Sequence, residues 1–224
     1  MPLRHCTARM PEGGFVYEPQ HFREDDPTLL AGLVRAHPLG LLVSAGPGGL
    51  LANPIPFLLD DDGAHGTLRA HLARPNLQWQ DLATVSECLC VFQGPQAYVT
   101  PSWYATKRET GRVVPTWNYA VVQAWGRPRV VEDEGWLRRQ IEDLTAAREA
   151  ARPEPWAVSD APEAFTAAQI RGIVGIEITL TRIAGKWKMS QNRSEADRAG
   201  VVAGLTEEGG PADPVAALVG RSRP

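Results

Sequence analysis

Apolar and polar residues alternate along several segments of the chain, and this period of two residues predicts β-strands. The segments are 41–44, 50–59, 67–73, 89–99, 117–131 and 173–180, and a short last strand is expected to follow a turn at Gly185 and to reach Ser190. Turns rich in Gly and Asp, at 46–49 and 60–66, separate the first three strands. The pattern predicts antiparallel strands joined in hairpins.

Other segments carry the spacing of amphipathic helices. Asp26 can cap a helix whose first turn contains Pro27, and its apolar stripe predicts that it ends near Pro38. Further helices are predicted at 76–83, 134–151 and 164–170, with a polar loop at 107–112. A few helices covering six or more antiparallel strands favour an α+β, mainly β, protein with a closed or nearly closed barrel, because closure removes exposed strand edges.

Composition and charge exclude several classes of protein. The 224 residues carry a formal net charge of −3, which gives no general attraction to nucleic-acid phosphates. No apolar stretch approaches the ~18 residues of a membrane span, and no leader pattern is present, so neither export nor membrane insertion is expected. The three cysteines are an odd number and are interpreted as packing residues of a reduced, cytoplasmic chain without a metal site.

The segment KWKMSQNR, 186–193, carries the clearest candidate chemistry. Strand alternation places Lys186, Lys188 and Ser190 on one side, where two ammonium groups and a hydroxyl suit a phosphate monoester. An ordinary solvated edge strand is the alternative interpretation.

Two further segments contain candidate binding residues. In the first, 69–79, His71 and Arg74 could contact a phosphate or a ring, although a single His on a strand is more often structural. In the second, 100–119, four large aromatic residues flank a cationic loop, and rings beside Asn118 suit a planar heterocycle. The same aromatic pattern is also typical of a packed interface.

The ordered segments GPQAYVTPSWY, VPTWNYAVVQAWG, PWAVSDAPEAF and KWKMSQNR resemble the PaiB family of FMN-binding negative transcriptional regulators. The resemblance runs from about Tyr17 to Leu205, which implies a flexible N-terminus at 1–16, one domain at 17–205 and a flexible C-terminal tail at 206–224. It implies a six-stranded antiparallel split β-barrel related to pyridoxamine-phosphate-oxidase-like flavoproteins. It also implies a homodimer with FMN pockets at the interface.

The resemblance also assigns cofactor-binding residues. By motif they are Arg74, Lys107, Thr116, Trp117, Asn118, Lys188, Ser190 and Gln191, with His71 beside them, and the spacing arguments add Asn76 and Lys186. No catalytic residue is assigned, because a flavin brings its own reactivity.

This sequence departs from the family pattern at two imidazole positions. Asn53-Pro54 and Gln123 stand where the family often has His, and an amide cannot act as a near-neutral acid or base. One alternative is therefore a heme b enzyme resembling the piperazate synthases, which form an N–N bond, with His71 as axial ligand. Another is a non-catalytic dimerisation module with a degenerate pocket.

The regulator role has little support from the residues themselves. The helix predicted at 134–151 alternates acidic and basic side chains, whereas a DNA-recognition helix is usually net basic. Direct DNA binding is doubtful on this ground, and the expected roles are regulation by an indirect route or a flavin-dependent sensor or oxidoreductase acting on a small molecule.

Overall fold

A computed structural model of the chain describes residues 17–221. The strands are β1 (Arg23–Glu24), β2 (Leu39–Gly46), β3 (Gly49–Pro56), β4 (Leu58–Asp60), β5 (Thr67–Ala73), β6 (Cys88–Val99), β7 (Thr116–Val131) and β8 (Ile173–Lys188). The helices are α1 (Pro27–Ala36), α2 (Gln78–Leu82), α3 (Ala105–Thr110), α4 (Glu134–Glu149), α5 (Glu163–Arg171), α6 (Glu195–Gly209) and α7 (Pro214–Arg221). The expected single 17–205 unit lies within these residues, and the expected flexible N-terminus, 1–16, lies outside them.

All strands join one antiparallel sheet in the order β3-β2-β6-β7-β8-β5-β4, and β1 adds to β8 outside this path. The end strands β3 and β4 are separated in sequence by Phe57 alone, so the sheet must curl until its two edges approach each other. Phe57 is 2% exposed and its backbone N–H donates to the Pro38 carbonyl at 2.8 Å. The α+β, mainly antiparallel class is confirmed. Within residues 17–221 the sheet has eight strands and no ladder closes it, so the expected six-stranded barrel is not confirmed.

The inner face of the curled sheet forms the core. Alternation along β5 turns Leu68, Ala70 and Leu72 inwards, and all three are at most 1% exposed. Phe57 and Phe92 meet edge to face with ring centroids 5.6 Å apart. Cys88 and Cys90 belong to this core, as their spacing predicts.

β8 continues without interruption through Gly185, so the turn expected there is wrong. Gly185 pairs with Val122 of β7 on one side and with Glu24 of β1 on the other. A Cβ atom at Gly185 would lie 2.2 Å from a methyl carbon of Leu30 on α1. The glycine therefore allows close helix–strand packing rather than a change of direction.

Two segments expected to be irregular are helical. The predicted loop 107–112 contains most of α3, which ends at Gly111 with a left-handed φ of 66°. The expected flexible tail, 206–224, includes the end of α6 and all of α7, and Val215 and Val219 are each 1% exposed. Burial of these two side chains in the core cluster explains why residues 206–221 are ordered although their composition is rich in Gly and Ala.

None of the helices within 17–221 is long and apolar enough to cross a membrane.

Candidate ligand-binding site

The outer side of β2, β6, β7 and β8 carries the candidate residues Trp117, Lys186 and Lys188, and we call this surface the open face. Because paired residues of antiparallel strands project to the same side, the pairing defines rows across it. One row runs through Leu41, Val91, Gln123 and Ala184. The next rows join Gln93, Val121 and Lys186, and then Gln96, Tyr119 and Lys188.

Large apolar side chains on the open face are exposed to solvent. Trp117 is 53% exposed, Tyr98 is 48% exposed, and their rings meet edge to face with centroids 6.0 Å apart. Leu39 and Leu41 on β2 are also exposed. A depression of about 410 Å³ lies beside them, lined by Val91, Gln93, Gly94, Gln96, Trp117, Tyr119, Ala120, Val121 and Gln123.

Lys186 and Lys188 bring two positive charges to the edge of this depression. The Lys186 ammonium donates to the Tyr17 carbonyl at 3.0 Å and lies 5.5 Å from the centre of the Tyr119 ring. The Lys188 ammonium donates to the Thr116 hydroxyl and, at 2.8 Å, to the Trp117 carbonyl. Within residues 17–221, neither lysine forms an ion pair with a carboxylate.

The surroundings of Lys188 disfavour its charge. Burial is the main cause that lowers the pKa of Lys188 below its ordinary value of 10.5, and the positive charges of Lys186 and Arg193 lower it further, while Tyr119 acts in the opposite direction. An anion bound here would offset both effects, because a neighbouring opposite charge favours the protonated amine.

The turn that follows β8 is held by Asn118, Ser190 and Gln191. Asn118 is fully buried, and its amide exchanges hydrogen bonds with the Ser190 hydroxyl at 3.0 and 3.2 Å. Ser190 adopts a left-handed φ of 62°, a conformation that few non-glycine residues reach without such support. The Gln191 side chain accepts from the Met189 N–H and donates to the Trp187 carbonyl. These residues therefore fix the end of the strand that carries Lys188.

The Lys188 ammonium contacts Thr116 and Trp117, but Ser190, which was expected on the same side as Lys186 and Lys188, is instead buried against Asn118. The alternation of β8 ends at Lys188 and Ser190 adopts a left-handed φ, so its side chain turns away from the two lysines. The cofactor-binding roles of Thr116, Trp117, Asn118, Lys186, Lys188, Ser190 and Gln191 remain predictions. Tyr119 and Arg193 were not among the predicted residues, although the alternation that singled out Trp117 also places Tyr119 on the open face. The Arg193 guanidinium lies 4.6 Å from the centre of the Tyr104 ring.

His71, Arg74 and Asn76 lie elsewhere. His71 pairs with Gly175, which is 13 residues before Lys188 on β8 and so about 40 Å away along an extended strand. It shares its face of β5 with Arg69, which hydrogen-bonds Gln140 and pairs with Asp143 of α4. The Nδ1 atom of His71 is buried and has no hydrogen-bond partner in the described part of the chain, and burial lowers the pKa of this imidazole.

The other predicted residues outside the open face have partners within the chain. The Arg74 guanidinium contacts the Glu132 carboxylate at 2.7 Å and the carbonyls of Arg171 and Ile173. Asn76 accepts from the backbone N–H of Gln78 at the start of α2. These contacts give Arg74 and Asn76 structural roles.

Lys107 on α3 donates to Ser102 at 3.0 Å, and no contact joins it to Lys186 or Lys188 among the described residues.

Asn53, at one of the departures from the family pattern, donates to the buried Gln78 side chain at 2.9 Å. Gln78 in turn donates to the Leu42 carbonyl and the Ser44 hydroxyl, so Asn53 belongs to a structural network that links β3, β2 and α2.

Comparison with known proteins supports both the fold and the family. The model of the family described as "Putative FMN-binding domain" matches residues 16–182. The chain is 38% identical to an uncharacterized protein of Emericella nidulans, over 88% of this chain and 92% of the relative. It is 28% identical to the protease synthase and sporulation protein PAI 2 of Bacillus subtilis, again over 88% and 92%.

Two solved structures illustrate the similarity of the fold. The FAD and heme binding protein of Mycobacterium smegmatis has a TM-score of 0.57 at 15% identity, covering 79% of this chain and 78% of that one. A flavocytochrome of Azotobacter vinelandii has a TM-score of 0.55 at 14% identity, covering 80% and 75%. The family match spans more than half of the chain, so the protein belongs to the PaiB-type family of FMN-binding domains.

Proposed function

We propose that this protein binds FMN on the open face and acts as a flavin-dependent sensor or oxidoreductase of a small molecule. The observation that carries the proposal is the pair Lys186 and Lys188, two ammonium groups on one strand face without a carboxylate partner among the described residues. Paired cations that lack an acidic partner are a natural site for a phosphate group.

The residues next to the lysines suit the rest of the cofactor. Tyr119 offers an aromatic face and edge to a planar ring, and Val91 and Val121 add an apolar floor. The ordered turn at Ser190 holds Lys188 in position, because Asn118 and Gln191 tie that turn to β7 and β8.

The cofactor and the protein would make different contributions to the reaction. FMN, when bound, supplies hydride and single-electron transfer, and the protein supplies binding, orientation and electrostatics. Lys186 and Lys188 would hold the phosphate, while Val121 and Tyr119 would support the ring and Trp117, beyond Lys188, would shield the phosphate end from water. No acid or base is assigned to the chain.

We further propose a cytoplasmic homodimer in which a second copy covers the open face. Leu39, Leu41, Tyr98 and Trp117 form an apolar surface that is exposed to solvent among the described residues. Contact with a second copy would remove this apolar area from water, which is favourable. Any regulatory role would then be indirect, because the net charge of −3 does not favour direct DNA binding.

The heme b alternative with His71 as axial ligand receives no support from the geometry. His71 lies on the side of β5 that faces α4 rather than on the open face. The alternative of a non-catalytic dimerisation module with a degenerate pocket predicts a protein that binds no flavin. The titration described next therefore distinguishes this alternative from the proposed function.

The test is a titration of purified protein with FMN and with riboflavin, followed by flavin fluorescence. We expect FMN to bind more tightly than riboflavin, and we expect Lys188→Met to weaken FMN binding by about tenfold or more with little effect on riboflavin, because a charged hydrogen bond to phosphate is lost.

Arg139→Met is the control, since it removes an exposed cation from α4, a helix that contributes no residue to the proposed phosphate site. Equal losses of FMN affinity in the two variants would contradict the assignment of Lys188. A wild-type protein that takes up no FMN would contradict the proposed function itself.

A further inference from the structure

Gln123 occupies the middle of the open face. It is paired with Val91 of β6 and with Ala184 of β8, so it stands between two interior strands of the sheet. Its side chain lines the depression next to Val121 and Tyr119.

The carboxamide of Gln123 lacks the hydrogen bond that its oxygen needs. The Oε1 atom is buried and accepts no hydrogen bond from the described residues. A buried acceptor without a partner costs free energy, and sites of this kind in native proteins call for an explanation. The last side-chain torsion of Gln has a broad range of allowed angles, so rotation about it can turn the oxygen towards the depression.

The donor that would satisfy this oxygen belongs to a ligand of matching pattern. A carboxamide presents one acceptor and two N–H donors side by side. The pyrimidine edge of a flavin presents the complementary set, with an N3–H donor between two carbonyl acceptors. An apolar or purely anionic ligand would leave the carboxamide unpaired.

We infer that Gln123 recognises the N3–H imide edge of the flavin ring and so selects the ring, while Lys188 selects the phosphate. This inference rests on the proposed function and names the residue that would bind the imide edge of the cofactor. Gln123 acts here as a specificity-determining residue.

The spacing of the two residues agrees with this division. Gln123 is level with Ala184, and Lys188 lies four residues further along β8, which corresponds to about 13 Å of extended strand. In FMN the phosphate ends the ribityl chain, which leaves the central ring at N10, so the imide edge and the phosphate can occupy separate positions, and Val121 and Tyr119 lie between Gln123 and Lys188. The central part of the ring would rest on these two residues.

The test compares the binding of FMN with that of FMN methylated at N3, which lacks the donor. Wild-type protein should prefer FMN by about three- to tenfold, the range expected for one neutral hydrogen bond. Gln123→Ala should lower FMN affinity by a similar factor and remove the preference. Lys188→Met should weaken both ligands and keep the preference.

The matched control is Gln93→Ala, which removes the same amide from the neighbouring row of the same depression. It should retain the preference for FMN, and melting temperatures establish that each variant is folded. A preference that persists in Gln123→Ala, or equal binding of the two ligands by wild-type protein, would overturn the role of Gln123 while leaving FMN binding intact. Failure of wild-type protein to bind either ligand would overturn the proposed function as well.

Discussion

Positively charged residues have different roles in this protein because they lie on different parts of the sheet. Lys186 and Lys188 project from the open face, whereas Arg69 projects beneath α4 and is paired with Asp60 and Asp143. A cation with two carboxylate partners stabilises packing, and a cation without one is available for an anionic ligand. The charge of a side chain therefore indicates a binding role only together with its partners.

His71 provides a test at the scale of one residue. Burial lowers its pKa below the ordinary value of 6.5, so the unfolded chain binds a proton more readily than the folded one. Stability is then complete above pH 6.5 and decreases as the pH falls from 6.5 towards the lower pKa of the folded state. We expect the melting temperature of His71→Asn to decrease less over this window than that of wild type, by about 2–4 °C.

His65→Asn serves as the control for this measurement, because His65 is exposed in the turn before β5. Its melting temperature should follow the wild-type curve. Parallel curves for His71→Asn and wild type would indicate that the proton uptake occurs at other groups.

At the scale of elements, α6 is placed by its contact with the segment that precedes α3. A Cβ atom at Gly200 would lie 1.9 Å from the Trp103 carbonyl oxygen, and one at Gly204 would lie 2.2 Å from the Trp103 ring. Glycine at both positions lets the helix backbone approach Trp103. The Thr106 backbone and hydroxyl also donate to the buried Asp197 of α6.

Gly204→Ala should therefore destabilise the protein although alanine favours helices. Overpacking against Trp103 is expected to cost about 1–3 kcal/mol in the free energy of unfolding. Gly32→Ala in α1 is the matched control, since no atom lies within 4 Å of its Cβ position, and it should be neutral or stabilising by up to about 1 kcal/mol. Urea denaturation measures both, and equal effects would show that the Trp103 contact is unimportant.

At the scale of the whole molecule, the open face leaves the apolar side chains of Leu39, Leu41, Tyr98 and Trp117 exposed to solvent in the described part of the chain. Its row from Leu41 through Val91 to Gln123 joins an exposed apolar edge to the depression. A homodimer that covers this face would enclose the ligand and exclude water from it, which strengthens electrostatic contacts inside.

Leu41→Glu should shift the dimer towards monomer, because it places a charge in the proposed interface. We expect a change in sedimentation coefficient together with a loss of FMN affinity of about tenfold or more. Leu77→Glu is the control, since Leu77 is also exposed but precedes α2, and it should leave both properties unchanged. A monomeric wild-type protein, or a Leu41→Glu variant that stays dimeric, would contradict this interface.

The local pattern predicted most elements well. The alternation at 67–73 coincides with β5, and the Asp26 side chain accepts from the Thr28 N–H at the start of α1, as expected of a helix cap. Gly185 misled the prediction because glycine is common both in turns and where elements pack closely, and only the position of Leu30 distinguishes the two. The order of α7 likewise depends on distant contacts of Val215 and Val219.

The sequence by itself determined the family, the mainly antiparallel class and the motif that carries Lys186, Lys188 and Ser190, because these depend on residue order and on the two-residue period of strands. Only the tertiary structure decided which candidates belong together. It placed Gln123 and Tyr119 beside the lysines and His71 beneath α4, since the pairing of strands distant in sequence sets which side chains share a row and a face.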